Sequence, residues 1–203
     1  TFGPSRSMTR SEAAAIFARL LAEKNGDTIS TAANTKFADI PAHAWYSGYV
    51  KYLSNNGIAY GKSKTIFAPN DAITRAEFTT MAVRFFDVYG DGDAEIMEQF
   101  SGFNDVSSGY WAAEYIKYAA LHGWINGYGD GSFHADREIN RAEVVTIVNR
   151  LLGREADEDY IADNLRKLNT FPDVSRKHWA YYAVMEAANA HTAVLGENES
   201  WSK

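Results

Sequence analysis

No cysteine occurs among the 203 residues of the chain. This absence excludes disulfide bonds, thiolate chemistry and cysteine-based zinc sites. The sequence also has no signal peptide and no apolar run near the roughly 18 residues that a membrane span requires. The chain begins inside a repeated pattern, at Thr1-Phe2-Gly3-Pro4. We therefore expect a segment of a longer protein, fused to a further domain and not inserted into a membrane.

Basic residues are in the minority, with 20 Lys and Arg against 26 Asp and Glu and a formal net charge of −6. Because binding to a phosphate backbone needs a basic face, this balance argues against a nucleic-acid partner. Aromatic residues are abundant, with 12 Tyr, 11 Phe and 5 Trp. They suit a hydrophobic core, and Tyr and Trp with one solvated edge also suit the recognition of sugars or proteins.

One short motif occurs three times, each time at the start of an apolar run with helical periodicity. The copies are Thr9-Arg10-Ser11-Glu12, Thr74-Arg75-Ala76-Glu77 and Asn140-Arg141-Ala142-Glu143. Thr or Asn three residues before Glu is the capping-box pattern, in which each side chain accepts a hydrogen bond from a backbone N–H of the first turn. The motif therefore predicts three helices that begin directly after the Thr or Asn.

Capping leaves the arginine of each motif unexplained. It occupies the first helical position, where the helix dipole makes a cation unfavourable by roughly 0.3–1 kcal/mol at an exposed site. Three such placements indicate a negative group nearby, because helix N-termini bind anions and the guanidinium fork suits carboxylates. Two hypotheses follow: the arginines bind an anionic ligand, or each forms an Arg–Asp pair that joins one repeat to the next.

A second predicted helix precedes the motif in each complete copy of the pattern. It follows a Phe-x-Asp segment, and a Trp lies eight residues after the Phe. These segments begin at Phe37, Phe103 and Phe171, and the first two lie 66 residues apart, as Arg75 and Arg141 do. The pattern is therefore an internal repeat with one copy divided between the two ends of the chain.

Counting the halves gives three units of two main helices each. Residues 37–102 and 103–170 are whole units, residues 171–203 hold the first half of the split unit, and residues 1–36 hold its second half. Two helices alone cannot bury their apolar faces, so the units must pack together. We predict one all-α domain over residues 1–203, a pseudo-threefold bundle closed by pairing of the N- and C-terminal half-repeats. The alternative is an open array that lacks a unit at one end.

Two charged connections join the units. The stretch from Asp87 to Gly102 carries Asp91-Gly92-Asp93 but lacks the ligand spacing of an EF-hand calcium loop, so we interpret it as a solvated connection. The stretch from Arg154 to Asn169 is predicted to contain a short helix near residues 160–168.

The combined pattern resembles the S-layer homology repeat. The resemblance rests on Phe-x-Asp-Val/Ile, a Trp-centred helix, the loop Gly127-Tyr128-Gly129-Asp130-Gly131-Ser132-Phe133 and the run Ile73-Thr74-Arg75-Ala76-Glu77-Phe78, and it covers nearly the whole chain. It implies a mostly helical pseudo-trimer at the bacterial cell surface that anchors a surface protein to the wall by binding secondary cell wall polysaccharide. In several Gram-positive lineages of the family the recognised sugar is a pyruvylated N-acetylmannosamine, and in some outer-membrane proteins the partner is modified peptidoglycan.

The resemblance also implies which residues bind the ligand. Arg10, Arg75 and Arg141 are expected to contact an acidic ketal carboxylate. The expected grooves lie between repeats, each using the arginine helix of one repeat and the Asp/Trp segment of a neighbour.

Three further sets of positions carry over from the family, each with an alternative. The aspartates bind sugar hydroxyls or the arginine, or else cap the following helix. The tryptophans are core residues by default, with the lining of a sugar groove as the alternative. The glycines serve a turn with positive φ by default, and ligand approach to backbone N–H groups is the alternative. These positions are Asp39, Asp105 and Asp173; Trp45, Trp111 and Trp179; and Gly61 and Gly127.

The copies depart from one another in their glycine loops. One whole repeat reads Gly61-Lys62-Ser63-Lys64 where the other reads Gly-Tyr-Gly-Asp. In the split repeat, His191 and Leu195 stand where the glycines would fall. We therefore do not expect three grooves of equal affinity.

An enzymatic function is disfavoured. The five His residues form no His-Glu-x-x-His pattern, and no Gly-x-Ser-x-Gly occurs, so we expect no catalytic residue, metal or cofactor. The rival function is S-layer assembly or protein–protein docking without direct glycan binding.

Overall fold

The computed structural model describes residues 1–90, 100–194 and 200–202. These residues are mainly α-helical, as the sequence predicts, and they form two compact units. The larger unit comprises Ser7–Ile139, and the smaller unit comprises Thr1–Arg6 with Asn140–Lys203. The predicted solvated connection at Asp91-Gly92-Asp93 lies outside the described residues.

The described residues of the larger unit form four helices: α1 (Arg10–Asn25), α2 (Ser47–Asn55), α3 (Arg75–Tyr89) and α4 (Ala113–Leu121). Helix α1 packs against α2 and α3, and α3 packs against α4. The fully buried ring of Phe17 lies 5.3 Å from that of Phe78 and 4.9 Å from that of Phe85, measured between centroids. The apolar faces of α1 and α3 that the sequence predicts therefore share one core.

The smaller unit contains α5 (Arg141–Leu151), α6 (Glu158–Asn164), a 3-10 turn (Leu165–Lys167) and α7 (Tyr181–Ala188). Helix α5 packs against α7, and α6 with its 3-10 turn is the short helix predicted in the second connection. Strands β1 (Thr192–Val194) and β2 (Ser200–Ser202) pair in antiparallel fashion, with Ala193 opposite Trp201. This two-stranded ribbon has no counterpart in the sequence-based prediction.

The capping motif starts α1, α3 and α5 as predicted. The side chain of Thr9 accepts from the Glu12 N–H at 3.2 Å, and the Thr9 N–H donates to the Glu12 carboxylate at 2.9 Å. The same reciprocal pair is present at the starts of α3 and α5. Helix α1 ends at Gly26, whose φ of 69° lies in the left-handed region. The helix boundaries thus follow from interactions within a few residues of chain.

Three equivalent residues ahead of the capped segments form a closed ring of backbone hydrogen bonds inside the larger unit. The Met8 N–H donates to the Ile139 carbonyl at 3.0 Å, the Ile139 N–H to the Ile73 carbonyl at 3.0 Å, and the Ile73 N–H to the Met8 carbonyl at 2.9 Å. All three side chains are buried. The threefold repetition of the sequence therefore produces a threefold set of contacts here.

The N-terminal residues pair with the C-terminal half-repeat within the smaller unit. The backbone N–H groups of Phe2 and Gly3 both donate to the Asp173 carboxylate. The Phe2 ring lies 5.4 Å from that of Phe171. Residues 2 and 3 are thus in contact with residues 171 and 173, although they lie near opposite ends of the sequence.

Candidate functional site

The motif arginine Arg10 is buried and holds the loop that precedes the next capped helix. Its Nε donates to the Phe67 carbonyl at 2.8 Å, and its Nη2 donates to the Tyr60 carbonyl at 2.8 Å. Its Nη1 lies 3.1 Å from a carboxylate oxygen of Glu77. Arg10 is only 4% exposed. Its bonds join the start of α1 to the segment from Tyr60 to Glu77.

Arg75 and Arg141 repeat this arrangement. The Arg75 Nε donates to the Phe133 carbonyl at 2.8 Å, and its guanidinium carbon lies 4.5 Å from the centre of the Phe133 ring. The Arg141 Nε donates to the Phe2 carbonyl at 2.8 Å and stacks on the Phe2 ring at 4.7 Å. Each motif arginine therefore has a structural partner, while its contact with a ligand stays a prediction.

The three aspartates hold the same loops from the other side. Asp39 accepts from the Phe67 and Ala68 N–H groups at 2.9 and 2.6 Å. Asp105 accepts from the backbone of residues 133 and 134, and Asp173 from that of residues 2 and 3. The second donor of each pair has a left-handed φ: 70° at Gly3, 60° at Ala68 and 55° at His134. In the described residues the aspartates thus fix a turn with a left-handed residue and do not cap the following helix.

These hydrogen bonds change the acidity of two of the aspartates. The N–H groups of Phe2 and Gly3 hold the pKa of Asp173 below its usual value. Burial by itself would raise the pKa of Asp105, but the N–H groups of Phe133 and His134 outweigh it and lower that pKa. Both carboxylates are therefore bound in their charged form at neutral pH.

Gly61 and Gly127 do not serve a turn with positive φ, so that default expectation was wrong. Both approach other backbone and aromatic atoms too closely for a side chain. A Cβ at Gly61 would lie 2.5 Å from the Ser63 carbonyl oxygen, and a Cβ at Gly127 would lie 2.5 Å from a ring carbon of Phe103. Glycine is required at these positions by close packing of the loop.

The default expectation that the tryptophans are core residues was also wrong. Trp45, Trp111 and Trp179 are 53%, 56% and 64% exposed. Each lies just before a helix begins, and the residue after each Trp is the buried one. The large rings therefore remain on the surface, where they are available to a ligand.

An open groove of about 180 Å³ lies in the larger unit. One wall is a single face of α3 at helical spacing, formed by Glu77, Thr80, Met81 and Arg84. The rest of the lining comes from Arg10, Ile58, Tyr60, Gly61, Lys62 and Trp111. The groove therefore combines three separate stretches of the chain, at residue 10, residues 58–84 and residue 111, and it includes three of the predicted site residues.

Among the described residues, three cations and one carboxylate line this groove. Arg10 is paired with Glu77, and Lys62 lies 3.0 Å from Asp71 at an exposed position. The Arg84 guanidinium lies 4.4 Å above the Tyr60 ring and 4.9 Å from the Tyr115 ring, and its Nη2 donates to the Tyr115 hydroxyl at 3.2 Å. Within residues 1–90, 100–194 and 200–202, Arg84 has no ion pair with a carboxylate. The groove is thus electropositive in an acidic chain.

The structure brings together some of the predicted site residues and separates others. Arg10, Gly61 and Trp111 share the groove, with Asp39 holding the same loop. Arg75, Asp105 and Gly127 instead meet at the second loop, residues 127–134. The remaining predicted residues, Arg141, Asp173, Trp45 and Trp179, are not among those that line the groove.

Sequence reasoning missed Tyr60, Lys62, Glu77 and Arg84 as groove residues. A signal for Arg84 exists, because it follows Arg75 by nine residues, as Arg19 follows Arg10 and Arg150 follows Arg141.

Within the described residues no helix is both long and apolar enough to cross a membrane, and no three metal-ligating side chains cluster together.

Comparison with known proteins identifies the repeat. Residues 36–79 and 102–145 match the family model of the S-layer homology domain. The chain is 32% identical over 207 residues to Cell surface glycoprotein 1 of Acetivibrio thermocellus, covering 98% of this chain and 8% of that protein. It is 31% identical over 199 residues to the Cellulosome-anchoring protein of the same organism, covering 97% of this chain and 42% of that protein.

A third relative is the Surface-layer 125 kDa protein of Lysinibacillus sphaericus, 32% identical over 155 residues, with 74% of this chain and 12% of that protein covered. The chain thus spans less than half the length of each of these relatives. The family and these relatives indicate an extracellular location at the cell wall. Through its two matched repeats, the chain belongs to the S-layer homology domain family.

Proposed function

We propose that this chain is a non-enzymatic module that anchors a bacterial surface protein non-covalently to the cell wall by binding secondary cell wall polysaccharide. The names of two relatives, a cellulosome-anchoring protein and a surface-layer protein, support an anchoring role. We also propose that residues 1–203 act as one three-repeat module, with 37–102 and 103–170 as whole repeats and 1–36 and 171–203 as the halves of the third.

The observation that carries the proposal is the composition of the groove. Three cationic side chains line it in a chain of net charge −6, next to Tyr60 and Trp111, which are 54% and 56% exposed. Exposed aromatic rings with an apolar face and a polar edge suit a sugar ring. A cationic wall suits a carboxylate. Together they favour an anionic amino sugar, and a pyruvate ketal is the acidic group that we propose.

The remaining predicted ligand residues divide into two roles in this proposal. Gly61 and Trp111 border the bound sugar directly. Arg10 and Asp39 keep the loop that carries Tyr60 and Lys62 in place. The set around Arg75, Asp105 and Gly127 forms a second, weaker site. Arg141 with Asp173 and Trp179 contributes least, and Trp45 has no assigned contact with the sugar.

Calorimetric titration with purified, protein-free wall polysaccharide tests the proposal. Fragments with and without the pyruvate ketal are compared on the same folded protein. Binding that requires the ketal supports an anion-reading wall anchor. If the folded protein binds neither fragment, the polysaccharide function is wrong, and the protein-docking alternative replaces it.

A further inference from the structure

We infer that Arg84, and not the motif arginine Arg10, binds the anionic group of the wall sugar and so determines specificity in the groove. The inference rests on the proposed function, because it assigns a residue to the ligand proposed there. Arg84 lies nine residues after the motif arginine of its own helix, outside the motif that the repeats share.

The Arg10 side chain already has a structural role within the protein. Each nitrogen of its guanidinium has a partner: the Phe67 carbonyl, the Tyr60 carbonyl and the Glu77 carboxylate. These contacts use three of its five N–H donors, and a guanidinium that is 4% exposed and paired with a carboxylate presents little surface to a ligand. Its charge is therefore largely neutralised within the groove.

Arg84 is held in position by neutral groups. Tyr60 and Tyr115 contact the guanidinium through their rings, and the Tyr115 hydroxyl accepts from Nη2. Stacking uses the faces of the planar group, whereas its five N–H donors lie in the plane. The described residues supply one hydrogen bond to those donors and no counter-ion. Arg84 is thus a cation that neutral groups hold in place, with no carboxylate among the described residues to balance its charge.

The equivalent residue Arg19 on α1 shows what is particular to Arg84. Both the Nε and the Nη2 of Arg19 donate to the Tyr49 hydroxyl, each at 3.2 Å. Arg84 uses only Nη2 for its tyrosine, Tyr115, and stacks on Tyr60 as well. Tyr60 and Arg84 both line the groove, as Trp111 and Lys62 do. A carboxylate bound by Arg84 therefore lies in the same groove as the exposed rings that suit the sugar.

The test is calorimetric titration of the wild-type chain and Arg84→Gln with two probes. One is the methyl glycoside of pyruvylated N-acetylmannosamine, and the other is the same glycoside without the ketal. Loss of a charge-assisted bidentate contact is expected to weaken binding of the ketal probe about 10- to 100-fold. Binding of the ketal-free probe is expected to change less than about 2-fold, because no carboxylate contact is removed.

Three further variants separate ligand contact from structural effects. Arg166→Gln removes the same charge from an exposed position on the 3-10 turn and is expected to leave both affinities unchanged. Arg84→Lys keeps the charge without the planar fork, so we expect a loss of roughly 3- to 10-fold for the ketal probe alone. Tyr115→Phe keeps Arg84 but removes the hydroxyl that orients it, so a smaller loss of about 2- to 5-fold is expected.

The outcomes distinguish this inference from the proposed function. If the wild type binds the ketal probe preferentially and both Arg84 variants keep that preference, the assignment of Arg84 is wrong while the anchoring function stands. If the wild type binds neither probe nor wall polysaccharide, the proposed function fails together with the inference. A ketal preference that is lost in Arg84→Gln and kept in Arg166→Gln supports both.

Discussion

The first loop, residues 61–68, and the second loop, residues 127–134, are built on the same frame in the larger unit. Each begins with a glycine that packs too closely to accept a side chain. In each, an aspartate accepts from two successive backbone N–H groups, the second of which belongs to a residue with a left-handed φ. A motif arginine donates to the carbonyl of the Phe in the loop.

The side chains that the two loops carry differ. The first loop has Lys62, and Ser63 closes its turn by accepting from two backbone N–H groups. The second loop has Tyr128, whose hydroxyl accepts from Arg137, and Asp130, which accepts from the Ser132 N–H and hydroxyl. A cation in one loop thus corresponds to a phenol in the other.

This difference separates two kinds of residue within one repeat. The glycine, aspartate, phenylalanine and arginine keep the loop geometry, so changes there should affect folding. The residue after the glycine changes without altering the frame, so changes there should affect binding. The first loop, whose Lys62 lines the same groove as Arg84, is the better match to an anion.

The largest expected effect is on the shared frame. Arg10→Ala leaves the Phe67 and Tyr60 carbonyls and the Glu77 carboxylate without their buried partner. We expect the free energy of unfolding to fall by about 3 kcal/mol. Urea denaturation followed by circular dichroism measures this change.

Arg19→Ala is the matched control on the same helix. Arg19 is exposed, and within the described part of the chain its hydrogen bonds and ring contact go to the Tyr49 side chain, so the expected loss is less than about 1 kcal/mol. Equal losses in the two variants would contradict the structural role of the motif arginine.

Whether a structural feature can be predicted from the sequence depends on how far apart its interacting residues lie along the chain. The starts of α1, α3 and α5 were predicted because a capping box lies within four residues of chain. The partners of Arg10 were not predictable in this way, since Phe67 lies 57 residues away. The ribbon of β1 and β2 was missed because strands of three residues are too short to show an alternating pattern.

The candidate site was predicted only in part for a similar reason. The repeated motif drew attention to Arg10, whereas Arg84 is defined by two tyrosines from other segments of the chain. The exposure of the tryptophans depends on where each helix begins relative to the ring, and each Trp lies two residues before the first helical residue. The sequence pattern therefore identifies the residues that hold the loops in place more readily than the residues that form the groove surface.

A second expected effect concerns the aspartate clamp of the second loop. Asp105→Asn removes a charged acceptor from two N–H groups, so we expect a loss of about 1–2 kcal/mol at neutral pH. The pKa of Asp105 is lowered in the folded protein. Its stabilisation is therefore complete above the unfolded pKa of about 4 and is lost as the pH falls through the folded pKa.

Unfolding of the wild type and Asp105→Asn from pH 7 to pH 2 measures this dependence. The difference between the two proteins should shrink as the solution becomes acidic. Asp159→Asn, at an exposed position in the first turn of α6, is the control and should change the stability by only about 0.3 kcal/mol, because it loses no more than a weak interaction with the helix dipole. A constant difference between wild type and Asp105→Asn down to pH 2 would show that the charge of Asp105 contributes nothing.

The surface difference between the loops is tested by Lys62→Tyr, which gives the first loop the residue of the second. The exposed Lys62–Asp71 pair contributes little to folding, so stability should change by less than about 1 kcal/mol. Loss of one groove cation should weaken binding of anionic wall polysaccharide about 5-fold at low salt, with a smaller effect at high salt. Titration at two salt concentrations measures both values, and an unchanged affinity at low salt would exclude Lys62 from the site.

The smallest expected effect concerns the left-handed residue at the end of each loop. Ala68 has a φ of 60°, where its Cβ is strained, and the equivalent position in the N-terminal copy is Gly3. Ala68→Gly should raise the free energy of unfolding by about 0.5 kcal/mol, since relief of strain slightly exceeds the entropy cost of glycine. His134→Gly should not, because the His134 ring contacts the Ser132 hydroxyl at 3.0 Å and the Tyr128 ring at 4.8 Å. Thermal unfolding of the two variants compares them directly, and a destabilised Ala68→Gly would mean that the left-handed turn carries no strain that glycine can relieve.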